Sequence, residues 1–242
     1  MPQIPVALDP GKPLVVGSFG DAASLSSVSP EEARESCDLI EIRIDLLGGS
    51  GAGADHTLWQ RFADIPLLFT ARRGSEGGAG DLDAETRCEL LRQVLPDSSL
   101  IDIEIASIPE METLIGELAE AGIPWIGSCH DFDATPGLDL LAANRMAAAN
   151  AGAAAFKAAF ELGWDSGRLG ELASFLSQSG ELPTALMGMG PLAPVSRVLF
   201  AQLGSVLNYG YLGSTPTAPG QWSARQLKEA IASTSKSRGK MP

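Results

Sequence analysis

The stretch Leu100–Phe132, LIDIEIASIPEMETLIGELAEAGIPWIGSCHDF, decides the fold. Two short strand-like runs, LIDIEIA (100–106) and PWIGSCHDF (124–132), flank PEMETLIGELAEAG, whose apolar residues return at helical spacing. The same unit repeats in both directions. Strand-like runs stand at LVVGSF (14–19), LIEIRID (39–45), PLLFTAR (66–72), AAAFKAAF (153–160), TALMGMG (184–190) and LNYGYLG (207–213). Segments of helical composition, such as GRLGELASFLSQSG and SRVLFAQLG, lie between them. Eight strand–helix units fit a closed parallel (β/α)8 TIM barrel better than an open doubly wound sheet.

The chain has 242 residues, close to the about 250 of a single such barrel, and reads as one domain over 1–242. Ahead of the first run, QIPVALDPGKP holds two strand-like pieces around a Pro-Gly turn. It predicts an N-terminal β-hairpin within 1–13 that closes the bottom of the barrel. Residues 223–242 are expected to form a C-terminal helix and tail, and GGSGAGADHTL (48–58) a Gly-rich surface loop.

Composition narrows the function. A formal net charge of −13 offers no basic stripe for nucleic acid. No run of about 18 apolar residues predicts a membrane span, and the N-terminus lacks a secretory pattern. Cys37, Cys88 and Cys129 are an odd number at unrelated spacings, so neither a disulfide framework nor a zinc site is expected. A reducing cytoplasm is the expected location. In so acidic a chain, an anion must be bound by a local cluster of arginines.

In a barrel of this kind, function sits at the C-terminal ends of the strands, and the polar residues gather there. Glu41, Arg43 and Asp45 alternate along the second strand, which places them on one face. Thr70 and Arg72 end the third strand, with Glu76 in the following RRGSEGG turn. Asp102 and Glu104 are two apart on the fourth, His130 ends the fifth, Lys157 stands in the sixth, and Arg197 follows the seventh in MGPLAPVSR. Each has a plainer reading. EIRID alone fits an internal ion pair, and Asp102 and Glu104 read as structural supports. A single histidine such as His130 is commonly a hydrogen-bonded core residue. His56 reads as an exposed bystander, and Lys157 alone could snorkel to a strand end. Their convergence on one rim favours chemistry.

Burial disfavours the charged form of a lysine, and neighbouring arginines act the same way. A neutral, oriented Lys157 amine is a nucleophile toward a carbonyl and forms an imine, which acts as an electron sink. His130, titrating near neutral pH, would act as base and then acid, with Glu76 orienting it. Several arginines imply a carboxylate or phosphate on the substrate.

At this point the chain resembles the type I 3-dehydroquinate dehydratases, Schiff-base enzymes of the shikimate pathway, from about Pro13 to Trp222. Seven motifs occur in order: EIRID, FTARRGSEGG, IDIE, SCHDF, FKAA, MGPLAPVSR and TAPGQ. The resemblance implies reversible syn dehydration of 3-dehydroquinate to 3-dehydroshikimate. Lys157 would form the imine, and His130 would remove the C2 proton and protonate the departing hydroxyl, partnered by Glu76. Arg197 would hold the substrate carboxylate, while Glu41, Arg43 and Arg72 bind ring hydroxyls. Thr217 and Gln221 would close over the substrate, with Ser18 a further member of that shell. It implies no cofactor and no metal, and a homodimer. The chain departs from the pattern at Thr217, where serine is common, at Ala193, where glycine is often found, and in the small alanines around Lys157. Its length is expected to leave no room for a fused shikimate dehydrogenase.

Two other readings remain. Another Schiff-base barrel enzyme, an aldolase for example, would favour a Gly-rich phosphate cradle after strands seven and eight. A barrel kept as a sensor of quinate-type ligands would have lost Lys157, His130 or Glu76, and all three are present.

Overall fold

The computed structural model describes residues 4–47, 55–178, 180 and 182–235. Eight strands, β1 (Leu14–Phe19), β2 (Leu39–Arg43), β3 (Leu67–Thr70), β4 (Leu100–Glu104), β5 (Trp125–Asp131), β6 (Ala155–Glu161), β7 (Thr184–Met189) and β8 (Leu207–Tyr211), form one parallel sheet. Its order, β7-β6-β5-β4-β3-β2-β1-β8, is that of a (β/α)8 barrel opened at one seam. The helices are α1 (Ala22–Ser27), α2 (Pro30–Ser36), α3 (Ile44–Leu47), α4 (Ala84–Val94), α5 (Glu112–Ala121), α6 (Leu138–Asn150), α7 (Ser166–Ser177), α8 (Ala193–Gln202) and α9 (Ala224–Ser235). Local signals fix their ends. Asp83 and Asp165 accept hydrogen bonds from Thr86 N (2.8 Å) and Arg168 N (2.9 Å) at the starts of α4 and α7, and Gly122 ends α5 at φ +67°.

Side chains alternate across a strand, and here the two faces differ in kind. Outward residues such as Ile40, Ile42, Phe69, Ile101, Phe156 and Leu186 join the core beneath the helices. Inward residues near the strand starts (Val16, Leu39, Leu68, Leu100, Ile126, Ala155, Ala185 and Leu207) form a separate apolar cluster inside the barrel. Two residues further along each strand, on the same face, stand Ser18, Glu41, Thr70, Asp102, Ser128, Lys157, Met187 and Tyr209, all buried. The interior changes from apolar to largely polar at mid-strand. That change positions the site.

The bottom of the barrel is covered by Val6, Leu8 and Leu14, which pack against the inner cluster. The expected β-hairpin is not formed: residues 4–13 contain no strand. Only the turn exists, with Lys12 N donating to Asp9 O at 2.9 Å and Gly11 N to Asp9 Oδ1 at 2.8 Å. Pro5, Pro10 and Pro13 each remove an amide donor, which leaves too few for a ladder. The Gly-rich run at 48–54 and the tail at 236–242 lie outside the described residues.

No ladder joins β7 to β8. At the base, Val206 N donates to Thr184 O at 3.1 Å. Higher up, the Arg197 guanidinium reaches from α8 to both strands, donating to Tyr209 O and, at 3.5 Å, to Gly188 O. Ser196 holds α8 in place by accepting from Gly188 N (3.1 Å) and donating to Ala193 O (2.9 Å).

Candidate active site

A cavity of about 130 Å³ opens at the C-terminal ends of the strands. Lys157, His130, Glu76, Glu41, Arg43, Arg72, Arg197, Thr217 and Gln221 all line it. Ser18 does not; its hydroxyl lies behind the wall and donates to Glu41 Oε2. Thr70 Oγ1 donates to the other Glu41 oxygen at 2.9 Å, so that carboxylate is fixed from two strands.

Lys157 is buried on β6 and is not bare. Its Nζ donates to Asp102 Oδ2 at 2.9 Å, lies 3.9 Å from Glu41 Oε1, and sits 4.2 Å from the centre of the Tyr209 ring. The expectation that arginines surround the amine is corrected: its nearest partner is the Asp102 carboxylate. Asp102, expected as a structural support, touches the lysine directly. Its other oxygen accepts from Arg72 Nη1 (2.8 Å) and Ser128 Oγ (2.5 Å). Burial alone would raise the Asp102 carboxyl, but Arg72 and Lys157 outweigh it and hold the group well below the usual carboxylate range. Glu104 accepts from Arg72 Nη1 (2.9 Å), Arg73 N (3.1 Å) and Arg87 Nη1 (3.0 Å). Lys157, Arg72 and Arg87 thus face Glu41, Asp102 and Glu104. Removing one member of such a buried set costs about 3–5 kcal/mol, because its partner is left unpaired.

His130 ends β5 with its Nδ1 3.0 Å from Glu76 Oε2, and its backbone N donates to the same oxygen at 2.9 Å. Burial, with Arg72 and Lys157 adding to it, holds the imidazole well below its ordinary value. The expectation of a histidine titrating near neutrality is corrected accordingly; the ring is neutral there. With Nδ1 engaged by Glu76, Nε2 is the free base. Burial pushes the Glu76 carboxyl up to about 7, against the pull of Arg72. The turn carrying Glu76 is anchored by Arg43, whose Nε and Nη2 donate to the two Asp45 oxygens at 2.9 and 2.7 Å and whose Nη2 also donates to Gly77 O at 3.0 Å. Asp45 accepts Ala79 N from the same loop at 3.1 Å, from just beyond the end of β2.

Arg197 is fully buried and has no carboxylate partner among the described residues. Its Nε has no hydrogen-bond partner among them either. Burial lowers the guanidinium to about 10, which still leaves it charged at neutral pH. This is a buried, net-positive fork facing a cavity, and it fits one carboxylate.

The lid is folded by Gln221, whose Oε1 accepts from both N and Oγ1 of Thr217 at 2.9 Å. It docks on Gly190, whose N donates to Pro219 O at 3.4 Å; a Cβ on Gly220 (φ +71°) would lie 2.3 Å from Gly190 O. The extra methyl of Thr217 is accommodated because residue 20 is glycine: a Cβ there would lie 2.8 Å from Thr217 Cγ2. Ala193 sits in the first turn of α8, where a helical backbone accepts it. His56 lies away from the cavity, as expected, yet it is no free bystander. Its Nδ1 pairs with Asp97 Oδ2 at 2.8 Å, and its ring packs against Trp59.

Sequence reasoning missed Tyr209, Met187, Met189 and Phe132 on the cavity wall, and Ser128 and Arg87 beneath it. The inward alternation in LNYGYLG and TALMGMG could have found Tyr209 and the methionines. Nothing local marks Arg87, which comes from α4. Among the described residues, no group of three or more His, Cys, Asp or Glu side chains could hold a metal ion.

Residues 19–238 match the sequence profile of the type I 3-dehydroquinase family. The chain is 33% identical over 219 residues to the 3-dehydroquinate dehydratase of Methanothrix thermoacetophila, covering 90% of this chain and 91% of that one. It is 30% identical over 224 residues to that of Methanocella arvoryzae, covering 85% and 93%. Among solved structures, the type I enzyme of Clostridium difficile, with covalently modified comenic acid, superposes with TM-score 0.80 at 22% identity, covering 93% of each chain. The 3-dehydroquinate dehydratase of Geobacillus kaustophilus gives 0.77 at 21% identity, covering 93% and 92%.

Proposed function

From the premise that the chain belongs to the type I 3-dehydroquinase family and is a hydro-lyase acting on 3-dehydroquinate, we propose that Lys157 carries the reaction through an imine, with His130 as acid and base. The observation that carries this is one cavity lined by a buried lysine, a neutral histidine and an arginine with no carboxylate partner among the described residues. Arg197 takes the substrate carboxylate, which orients the ring. Glu41, Arg43 and Arg72 meet the ring hydroxyls, and Thr217 and Gln221 cover them, with Ser18 steadying Glu41.

The amine, once it has released a proton, adds to the C3 ketone, and loss of water leaves a protonated imine. His130 Nε2 then removes a C2 proton, and the electron pair flows toward the imine nitrogen to give an enamine. The electrons return to expel the C1 hydroxyl, which leaves as water by taking the proton from His130. Hydrolysis of the conjugated imine releases 3-dehydroshikimate and restores Lys157. Asp102 stays ionised throughout and steadies the charge at Nζ.

Borohydride added with 3-dehydroquinate should reduce the imine and fix a stable adduct, seen by peptide mass on Lys157. An unmodified Lys157 peptide at full enzyme activity would sink the assignment. A homodimer is proposed too, in keeping with the family resemblance. A cytoplasmic location is proposed on the free thiols of Cys37, Cys88 and Cys129; among the described residues no helix is long and apolar enough to cross a membrane.

A further inference from the structure

Tyr209 is 4% exposed and lines the cavity from β8. Its ring faces Lys157 Nζ at 4.2 Å from the centroid, within the reach of a cation–π contact. Its hydroxyl is buried and has no hydrogen-bond partner among the described residues. A buried tyrosine that makes no bond through its hydroxyl is held for its ring. The same residue's carbonyl accepts from Arg197 Nη1, so its backbone is tied to the anion site while its face lies against the nucleophile.

The other groups around Nζ are already committed. Asp102 of β4 accepts from Nζ through Oδ2, and Glu41 of β2 lies further off, held by Ser18 and Thr70. Arg72, from beyond β3, is bound to the opposite Asp102 oxygen, and His130 of β5 and Arg197 of α8 share the cavity wall. None of these presents an apolar face to the nitrogen. The ring covers that side.

Resting on the reading that Lys157 forms the imine, we propose that Tyr209 is a positioning residue whose ring face holds the positive charge on Nζ, first as ammonium and then as protonated imine. The ring keeps the amine between Asp102 and the incoming ketone. It also supports the cationic state from which the C2 proton is removed.

The test is the pH dependence of borohydride trapping at Lys157 by 3-dehydroquinate, with kcat measured alongside. Loss of the ring in Tyr209→Leu should move the trapping midpoint down by about 0.5 to 1.5 pH units and lower kcat roughly tenfold. Tyr209→Phe should keep the wild-type midpoint, because the face remains. Should Tyr209→Leu fail to fold, phenylalanines carrying increasing numbers of ring fluorines at position 209 preserve shape while weakening the face, and the midpoint should fall stepwise along that series. A midpoint unmoved across the fluorinated series, or moved as far by Tyr209→Phe as by Tyr209→Leu, overturns the proposal. Failure to trap Lys157 in the wild-type enzyme would instead sink the imine reading itself, so the two failures are told apart.

Discussion

At the scale of single residues, the site is governed by which group loses its water and which finds a partner. His130 meets Glu76 through both its ring and its backbone N, yet the two groups shift in opposite directions, the imidazole down and the carboxyl up to about 7. The signs can be followed through folding. Raised above 4.5, Glu76 contributes stability that is fully present below that value and lost as pH climbs to about 7. Lowered below 6.5, His130 is least costly above that value and loses stability as pH falls beneath it. Glu76→Gln should therefore abolish the fall in unfolding free energy between about pH 4.5 and 7, read by denaturant titration at several pH values. The same variant should lower kcat by roughly ten- to a hundredfold and remove the step in kcat/KM near pH 7 that ionisation of Glu76 produces in the wild type. A retained step would assign it to another group. Lys157, His130 and Glu76 were legible because each is an odd residue in its own stretch. The Lys157–Asp102 bond was not, since it joins residues 55 apart in sequence.

At the scale of elements, strand period and barrel geometry did most of the work. The inward step from Leu39 to Glu41, or Ala155 to Lys157, can be read off each strand without its neighbours. What escaped depends on competition between segments. The Pro-rich start kept its turn and lost its ladder. The β7–β8 seam, left without ladder bonds, is spanned near the mouth by Arg197, a residue read only as an anion binder. Its substitution should show both roles. Arg197→Lys removes the planar fork and its reach to Tyr209 O and Gly188 O. KM should rise on the order of ten- to a hundredfold, and unfolding free energy should drop by about 1–3 kcal/mol. Steady-state kinetics and denaturant midpoints measure the two effects. A raised KM with unchanged stability would confine Arg197 to the substrate.

At the scale of the whole molecule, the proposed homodimer predicts that light scattering at micromolar concentration returns twice the chain mass, and a single-chain mass would remove it. The association surface was not legible in the sequence, because patterns of apolar spacing distinguish buried from exposed faces but not which exposed face meets a partner. The barrel itself was legible because eight repeats of one short unit leave few alternatives. Its interior, waxy below mid-strand and salted above, has a historical consequence. A lineage can rework the upper ring of side chains, one address at a time, while the hydrocarbon beneath goes on specifying the same scaffold. Descendants with new appetites for other keto acids would then inherit the foundation unchanged.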